Sequence, residues 1–349
     1  MRIITTFALL GGIVSTLVAQ DDRKQSCSAY TVVPLPTEAQ GITTPAKFPA
    51  CESYKSYAGI GRPMNYEAAR ACAWQERAAQ EADLPQNPQA PIAWVVGGSI
   101  ILADLYANGL GTPRNLPLAT RLACEQSEGF LEEGFDDLAS RMKNQNKNDK
   151  PFELCEYAAV TFDMNFCESY QSQIGDSNRD RDIASLSSHW TEAQKAAFAA
   201  AKKSFDVYVE TVGHDETYMG GTIRNLRAIG AMQEMQQDFF VSLRRYESGK
   251  LPQASAAVAQ AHDAELNRVY QEALKNSAST VASAKKDDLS PEEEIQPEGI
   301  RKAERAWLAY RDAWVNFATL RYPSTHREAW LNELTETRIH RLLQDPYEE

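Results

Sequence analysis

Residues Ile300–Phe317 read IRKAERAWLAYRDAWVNF, with the apolar residues at Ile300, Ala303, Trp307, Tyr310, Trp314 and Phe317. The steps alternate three and four, which places all six side chains along one stripe of an α-helix and leaves the remaining surface charged. Burying each of the large rings is worth about 2–3 kcal/mol, so this stripe demands other helices against it. The stretch therefore predicts an all-α bundle with this helix at its centre, starting near Pro297 and ending at Pro323.

The same spacing recurs upstream. Phe198, Ala201, Phe205 and Tyr208 lie 109 positions before Trp307, Tyr310, Trp314 and Phe317, which suggests a duplicated helical unit. Thr191 and Gln194 have the spacing of a capping box at the start of that earlier helix. Between the two copies, a glycine-flanked loop, Gly213–Gly221 (GHDETYMGG), precedes a helix from about Thr222 to Glu247, and a third helix spans roughly Gln253–Lys275. Residues 276–297 are rich in Ser, Ala and charge and read as a mobile loop. Thr325 and Glu328 repeat the capping-box spacing before a last helix reaching about Leu343.

The central helix also carries Glu304-Arg305-Ala306-Trp307-Leu308-x-Tyr310-Arg311-Asp312. It is flanked by Asp263-x-x-Leu266-Asn267-x-x-Tyr270 upstream and by Leu334-Thr335-x-x-Arg338-x-x-x-Leu342 downstream. Together these motifs resemble the LprI-type lysozyme-inhibitor family over roughly 191–344. The resemblance implies a helical domain that binds a lysozyme and is not an enzyme. Members of that family often carry a cysteine pair here; this half of the chain has none, and Trp314 and Trp330 stand at approximately those places. The polar motif positions Asp263, Asn267, Arg311, Asp312, Thr335 and Arg338 lie on or beside apolar faces. An unpaired buried polar group costs about 1–3 kcal/mol, so these six are expected to satisfy one another as a lock on helix register.

The N-terminal half is built differently. Met1–Gln20 has a basic start at Arg2, an apolar run from Ile3 to Val18 and a small-residue end, the pattern of a secretory signal peptide. Residues 21–50 read as an extended leader. From residue 59 a G-x-G-x-P-x-N-x-x-x-A pattern appears twice, as Gly59, Gly61, Pro63, Asn65 and Ala69 and, 50 positions later, as Gly109, Gly111, Pro113, Asn115 and Ala119. The glycines suit a turn with positive φ, the Pro and Asn a helix start, and the Ala close packing. The second copy, with Tyr106-Ala107-Asn108-Gly109-Leu110-Gly111, resembles a Sel-one-like repeat, a relative of the tetratricopeptide helix pair, with Pro85–Pro91 as an insertion. That resemblance implies a short α-solenoid over 51–175 with a protein-binding face.

All six cysteines, Cys27, Cys51, Cys72, Cys124, Cys155 and Cys167, lie in this half. An even number in an exported chain predicts disulfides, and the pairing expected is Cys72 with Cys124, Cys155 with Cys167 and Cys27 with Cys51. The polar run Asn144–Lys150 reads as an exposed loop, and residues 175–182 (GDSNRDRD) as the boundary before a bundle domain of 176–349.

Composition narrows the function. The chain has 349 residues, 43% of them hydrophobic and 24% charged, with a net charge of −12, which suits neither nucleic acid nor an anionic membrane but would favour a basic partner. The five histidines show no H-E-x-x-H spacing, Gly97-Gly98-Ser99 is not a nucleophile elbow, and His214-Asp215-Glu216 reads as a solvated turn; no catalytic site, cofactor or metal is expected. Two readings follow for a periplasmic or secreted protein. One is an inhibitor that occludes a basic lysozyme, for which the exposed elements would be the Gly213–Gly221 loop with Tyr218 and Met219 and the Tyr322–Arg327 turn with Tyr322 and His326. The other is an envelope scaffold that binds another exported protein through its repeats.

Overall fold

A computed structural model describes residues 27–43, 47–80, 92–126, 130, 132–144 and 150–344. The signal-peptide stretch, the Pro85–Pro91 insertion and most of the Asn144–Lys150 run lie outside the described residues. Those that are described form an all-α protein with no β-strand, and the chain divides into two compact units at Ile174 and Gly175. No helix among them is long and apolar enough to cross a membrane.

The first unit is assembled from two helix pairs that use one turn twice. Helices α1 (Ser53–Ala58) and α2 (Tyr66–Gln80) form the first pair. After the short α3 (Ile92–Val95), α4 (Ser99–Asn108) and α5 (Leu116–Cys124) form the second. Gly59 and Gly109 end the leading helices in the left-handed region, at φ 73° and 70°, which only glycine adopts without strain. Five residues back, a carbonyl then accepts from the residue after each glycine, Ile60 N to Lys55 O and Leu110 N to Leu105 O, both at 3.0 Å. Asn65 and Asn115 cap the following helices by accepting from Ala68 N at 2.9 Å and Leu118 N at 3.1 Å. Ala69 and Ala119 are fully buried, so the methyl groups sit where helices meet closely. The first glycine, the Asn and the Ala of the repeated pattern thus have the physical roles their residue types suggest, whereas Pro63 and Pro113 lie in the turn, before the helix starts. Helix α6 (Glu132–Asn144) and a 3₁₀ turn, Leu154–Tyr157, complete the unit with the start of α7 (Thr161–Leu186).

The disulfides are Cys27–Cys124, Cys51–Cys72 and Cys155–Cys167. The last agrees with expectation; the pairings of Cys72 with Cys124 and Cys27 with Cys51 are wrong. The reason is that each cross-link fastens an irregular segment to the helical framework, whereas the repeat helices hold each other through small buried residues such as Ala73, Ala103 and Ala123. The leader, tied to the end of α5 by Cys27, crosses α2 and α4 and inserts Glu38 between them. The Glu38 carboxylate accepts from Tyr106 Oη at 2.7 Å, Trp74 Nε1 at 3.3 Å and Arg70 Nε at 3.1 Å.

The second unit is a bundle of α8 (Glu192–Asp215), α9 (Arg224–Glu247), α10 (Ala256–Lys286), α11 (Pro297–Arg321) and α12 (Arg327–Leu343), joined by the end of α7. The two aromatic stripes pack on each other: α8 and α11 run antiparallel, with Phe198 against Phe317 (ring centroids 5.1 Å) and Phe205 against Tyr310 (5.0 Å). A Cβ on Gly299 would lie 2.2 Å from the Asp215 carbonyl oxygen, so glycine is what lets this pair close at its end. The Thr191–Gln194 capping box is present in both directions.

Two local expectations need correction. Residues 276–286 continue α10 rather than forming a mobile loop. Ser279 and Thr280 return their hydroxyls to carbonyls one turn back, at 3.0 and 3.1 Å, and Ser277 Oγ donates to Ile295 O at 2.6 Å, so the polar composition is absorbed locally. The last helix starts one residue late: Thr325 is held in a turn by its N–H bond to Tyr322 O, and His326 is the N-cap with no side-chain cap bond. The division between the units falls at the start of the expected 175–182 boundary, and these residues are helical within α7, where the Asp176–Arg179 ion pair at 2.6 Å has helical spacing.

One buried acid makes the first unit testable by pH. Asp104 on α4 is 2% exposed and accepts from Leu154 N at 2.8 Å; burial holds its carboxyl well above the usual carboxylate range. The folded chain therefore keeps this proton while the unfolded chain releases it near the ordinary Asp value of about 4. Asp104 contributes most stability below that value and loses it as pH rises through the folded-state pKa. Asp104→Asn should consequently gain stability relative to wild type between about pH 4 and 7 in urea unfolding; a difference that does not change with pH would refute this.

Candidate partner-binding site

The polar centre of the second unit is Arg338 on α12, 1% exposed. Its Nη1 and Nη2 donate to the two oxygens of Glu216 at 2.7 Å each, its Nε donates to Glu304 Oε2 at 3.0 Å, and Nη1 also reaches Tyr208 Oη at 3.2 Å. Glu216 caps the C-terminus of α8 and Glu304 sits on α11, so one guanidinium ties three helices together. Burial opposes its charge, but Tyr208, Glu216 and Glu304 outweigh that and raise its pKa well above the usual value. Burial likewise raises Glu304, with Arg338 pulling the other way. A bidentate arrangement of this kind uses the planar fork that only arginine offers.

The expected six-residue lock is only partly formed. Thr335 and Arg338 are buried, at 3% and 1% exposure. Asp263 and Asn267 are exposed; Leu266 and Val269 are the buried positions of α10, and Asn267 Nδ2 bonds only the backbone of Asp263, at 2.8 Å. Arg311 pairs with its exposed neighbour Asp312 at 3.0 Å and lies over the Trp307 ring, 5.2 Å from its centre, at the rim of the bundle. The partners that Arg338 does use, Glu216, Glu304 and Tyr208, were not foreseen. Glu216 in particular is not part of a solvated turn, since its side chain is 7% exposed. The signal was present: Glu304 falls four after Ile300 and three before Trp307, and Glu216 four after Val212, each carboxylate on a buried stripe.

The two proposed loops differ in kind. The stretch after α8 lies at one end of the bundle and is pinned there: Met219 N donates to Glu293 O at 3.1 Å, Arg227 Nη1 to Gly220 O at 2.7 Å, and the Arg227 guanidinium lies 5.4 Å from the Tyr218 ring centre. Tyr218 and Met219 remain half-exposed. At the opposite end, Tyr322 is buried, donating to Glu247 Oε1 at 2.7 Å and packing its ring 5.3 Å from Trp330. Tyr322 is therefore a core residue, which leaves His326 as the exposed candidate of that turn. Trp314 and Trp330 are both buried, and Tyr246 lies between them, at ring-centroid distances of 6.0 and 4.9 Å.

A groove of about 80 Å³ runs between α9 and α12. Its floor is aromatic, with Tyr310 and Trp314 of α11 below and Phe239 and Tyr246 of α9 at the side. Arg245 pairs with Glu333 across one part, and Arg341 with Glu234 at 3.3 Å across another. Among the described residues only Cys51, Cys72 and Glu76 come together as a group that could ligate a metal, but the two sulfurs are bonded to each other and offer no thiolate.

Arg338→Ala should destabilise the second unit by about 3–5 kcal/mol, because it strands two buried carboxylates. Arg311→Ala, which loses a rim pair with the exposed Asp312 and a stacking contact on Trp307, should cost about 1 kcal/mol. Comparison of the two denaturant midpoints checks the assignment; equal effects would contradict it.

Neither a search of curated proteins nor a search of solved structures gives a match. Residues 247–342, which include α10, α11 and nearly all of α12 with Arg338 and Glu304, match the family model described as lysozyme inhibitor LprI, and it is to this family that the C-terminal part of the chain is similar.

Proposed function

We propose that the mature chain is an exported inhibitor that binds a basic lysozyme and covers its cleft. The match of residues 247–342 to an inhibitor family carries this reading. Three disulfides support an oxidising compartment outside the cytoplasm, and we assign the protein to the periplasm or the secreted fraction.

Shape and charge favour one end of the bundle as the contact. The Tyr218–Met219 loop is held at fixed geometry by Glu293 and Arg227, so little ordering entropy is lost on binding. Beside it, between α10 and α11, stand Asp287, Asp288, Glu292, Glu293 and Glu294, which present negative charge to a basic protein. The whole chain, at −12, adds long-range steering. A scaffold acting through the repeats is the competing reading. It is weakened by the leader, which already lies on α2 and α4 through Glu38.

Cell-wall lysis by a c-type lysozyme, with and without purified mature chain at low and moderate salt, tests the proposal. Inhibition at micromolar concentration or below is expected, weakening as salt rises, and Tyr218→Ala with Met219→Ala should remove it while the melting temperature stays within a few degrees of wild type. Unchanged lysis at large molar excess of folded protein would reject inhibition and leave the scaffold.

A further inference from the structure

We infer that Cys51–Cys72 is a site of thiol–disulfide exchange, at which a dithiol reductant attacks Cys51 and Glu76 gives the departing Cys72 its proton. The two ends of this bond stand in opposite surroundings. Cys51 is partly exposed in the irregular segment before α1, and Arg62 Nη1 donates to its carbonyl oxygen at 3.1 Å, which brings a guanidinium to the end that an anionic thiolate can approach. Cys72 is 5% exposed within α2, and its sulfur lies 3.5 Å from Oε1 of Glu76, one turn further on, which is itself 0% exposed. In the disulfide that sulfur has no proton to share, so the contact becomes a hydrogen bond only when Cys72 is reduced. Among the described residues, no other disulfide has a carboxylate oxygen within 4.8 Å of both its sulfurs.

The carboxyl is built into its place. Ser53 N donates to Oε1 and Gly98 N to Oε2, each at 3.0 Å, and Ser53 Oγ also bonds Oε2, so Glu76 of α2 joins the starts of α1 and α4. A Cβ on Gly97 would lie 2.4 Å from Oε2, so the Gly97-Gly98-Ser99 stretch supplies the room this side chain needs. The charged groups around it are Glu52, paired with Lys55 at 2.8 Å and Arg62 at 3.6 Å, and Arg77, paired at 2.7 Å with Glu125 at the end of α5. Burial raises the Glu76 carboxyl above the usual range against the hydrogen bonds from Ser53 and Gly98, and Glu52 adds to the rise. In the exchange, the attacking thiolate forms an S–S bond with Cys51 Sγ, the bond to Cys72 breaks, and its electron pair leaves on Cys72 Sγ, which takes the proton of Glu76. The second thiol of the reductant then attacks its own sulfur in the mixed disulfide. Cys51 leaves with that thiol's proton, and the reductant ends as a disulfide. Glu76, left ionised, keeps its bonds to Ser53 N and Gly98 N, so both helix starts remain held.

This site lies in the first unit and is independent of the inhibitor reading. Oxidised full-length mature protein would be incubated with reduced glutathione at values from about pH 5 to 8, quenched with acid, and each cysteine mapped by mass spectrometry. The expected product carries glutathione on Cys51 and a free thiol on Cys72. Its rate constant per glutathione thiolate should fall about tenfold or more as pH rises through the folded-state pKa of Glu76, because the carboxyl loses the proton it donates. In Glu76→Gln that profile should be level, as it should be for the other two disulfides of the wild type. Glutathione on Cys72, a Cys51–Cys72 bond that resists while the other two react, or the same pH profile in wild type and Glu76→Gln would overturn the assignment. If Glu76→Gln does not fold, the wild type decides alone: a Cys51–Cys72 profile that matches that of Cys155–Cys167 rejects the site, and one that falls with pH while the other stays level supports it.

Discussion

A guanidinium buried to 1% exposure cannot be left uncompensated, and the second unit is arranged so that Arg338 never is. Glu216 must arrive from the end of α8 and Glu304 from the first half of α11, so α12 can dock in only one axial register. A shift of α12 by one turn would carry the guanidinium away from both carboxylates. The aromatic seam between α8 and α11 supplies most of the burial, but rings slide over one another at modest cost. A bidentate ion pair does not, because its two hydrogen bonds fix direction as well as distance. The charged cluster therefore sets where the apolar surfaces meet.

The first unit solves the same problem by other means. Its helices are short, α1 having six residues, and long irregular segments run over them. Disulfides fasten those segments: Cys27–Cys124 spans 97 residues of sequence, Cys51–Cys72 spans 21 and Cys155–Cys167 spans 12. Closing loops of this kind restricts the unfolded chain and typically contributes about 2–4 kcal/mol each. The second unit has long helices and a continuous aromatic core and contains no cysteine, so the two halves are stabilised by different physics.

The matched family segment begins at residue 247, within the last turn of α9, yet the residues that complete its polar centre and its groove come from α8 and α9. Glu216, Tyr208 and Asp238 all precede the match. The bundle that closes around Arg338 is thus larger than the matched segment. In the same way, the leader's Glu38 takes three donors from the repeat helices, so a surface that looks available from the repeat pattern is already engaged by the chain itself.

Periodicity by itself determined the helices, because a three-four alternation of large apolar residues has one low-energy solution in water, and the bundle stripes of α8 and α11 were legible for that reason. The repeated turn was legible too: Gly59, Gly109, Asn65 and Asn115 are local devices whose roles depend on neighbours within a few residues. The extent of α10 was not, since serine and alanine are compatible with loop or helix until something packs against Ser277 and Ala284. Pairings between distant residues were decided only by the tertiary structure. Cysteine spacing does not say which segment the leader lies beside, and a glutamate on a stripe does not name its arginine. Tyr322 looked like a loop tip because the sequence marks the turn but not the direction in which its ring points. Which side chains meet across helices depends on the register and handedness of packing, and that information is distributed over the whole core rather than written at any one position.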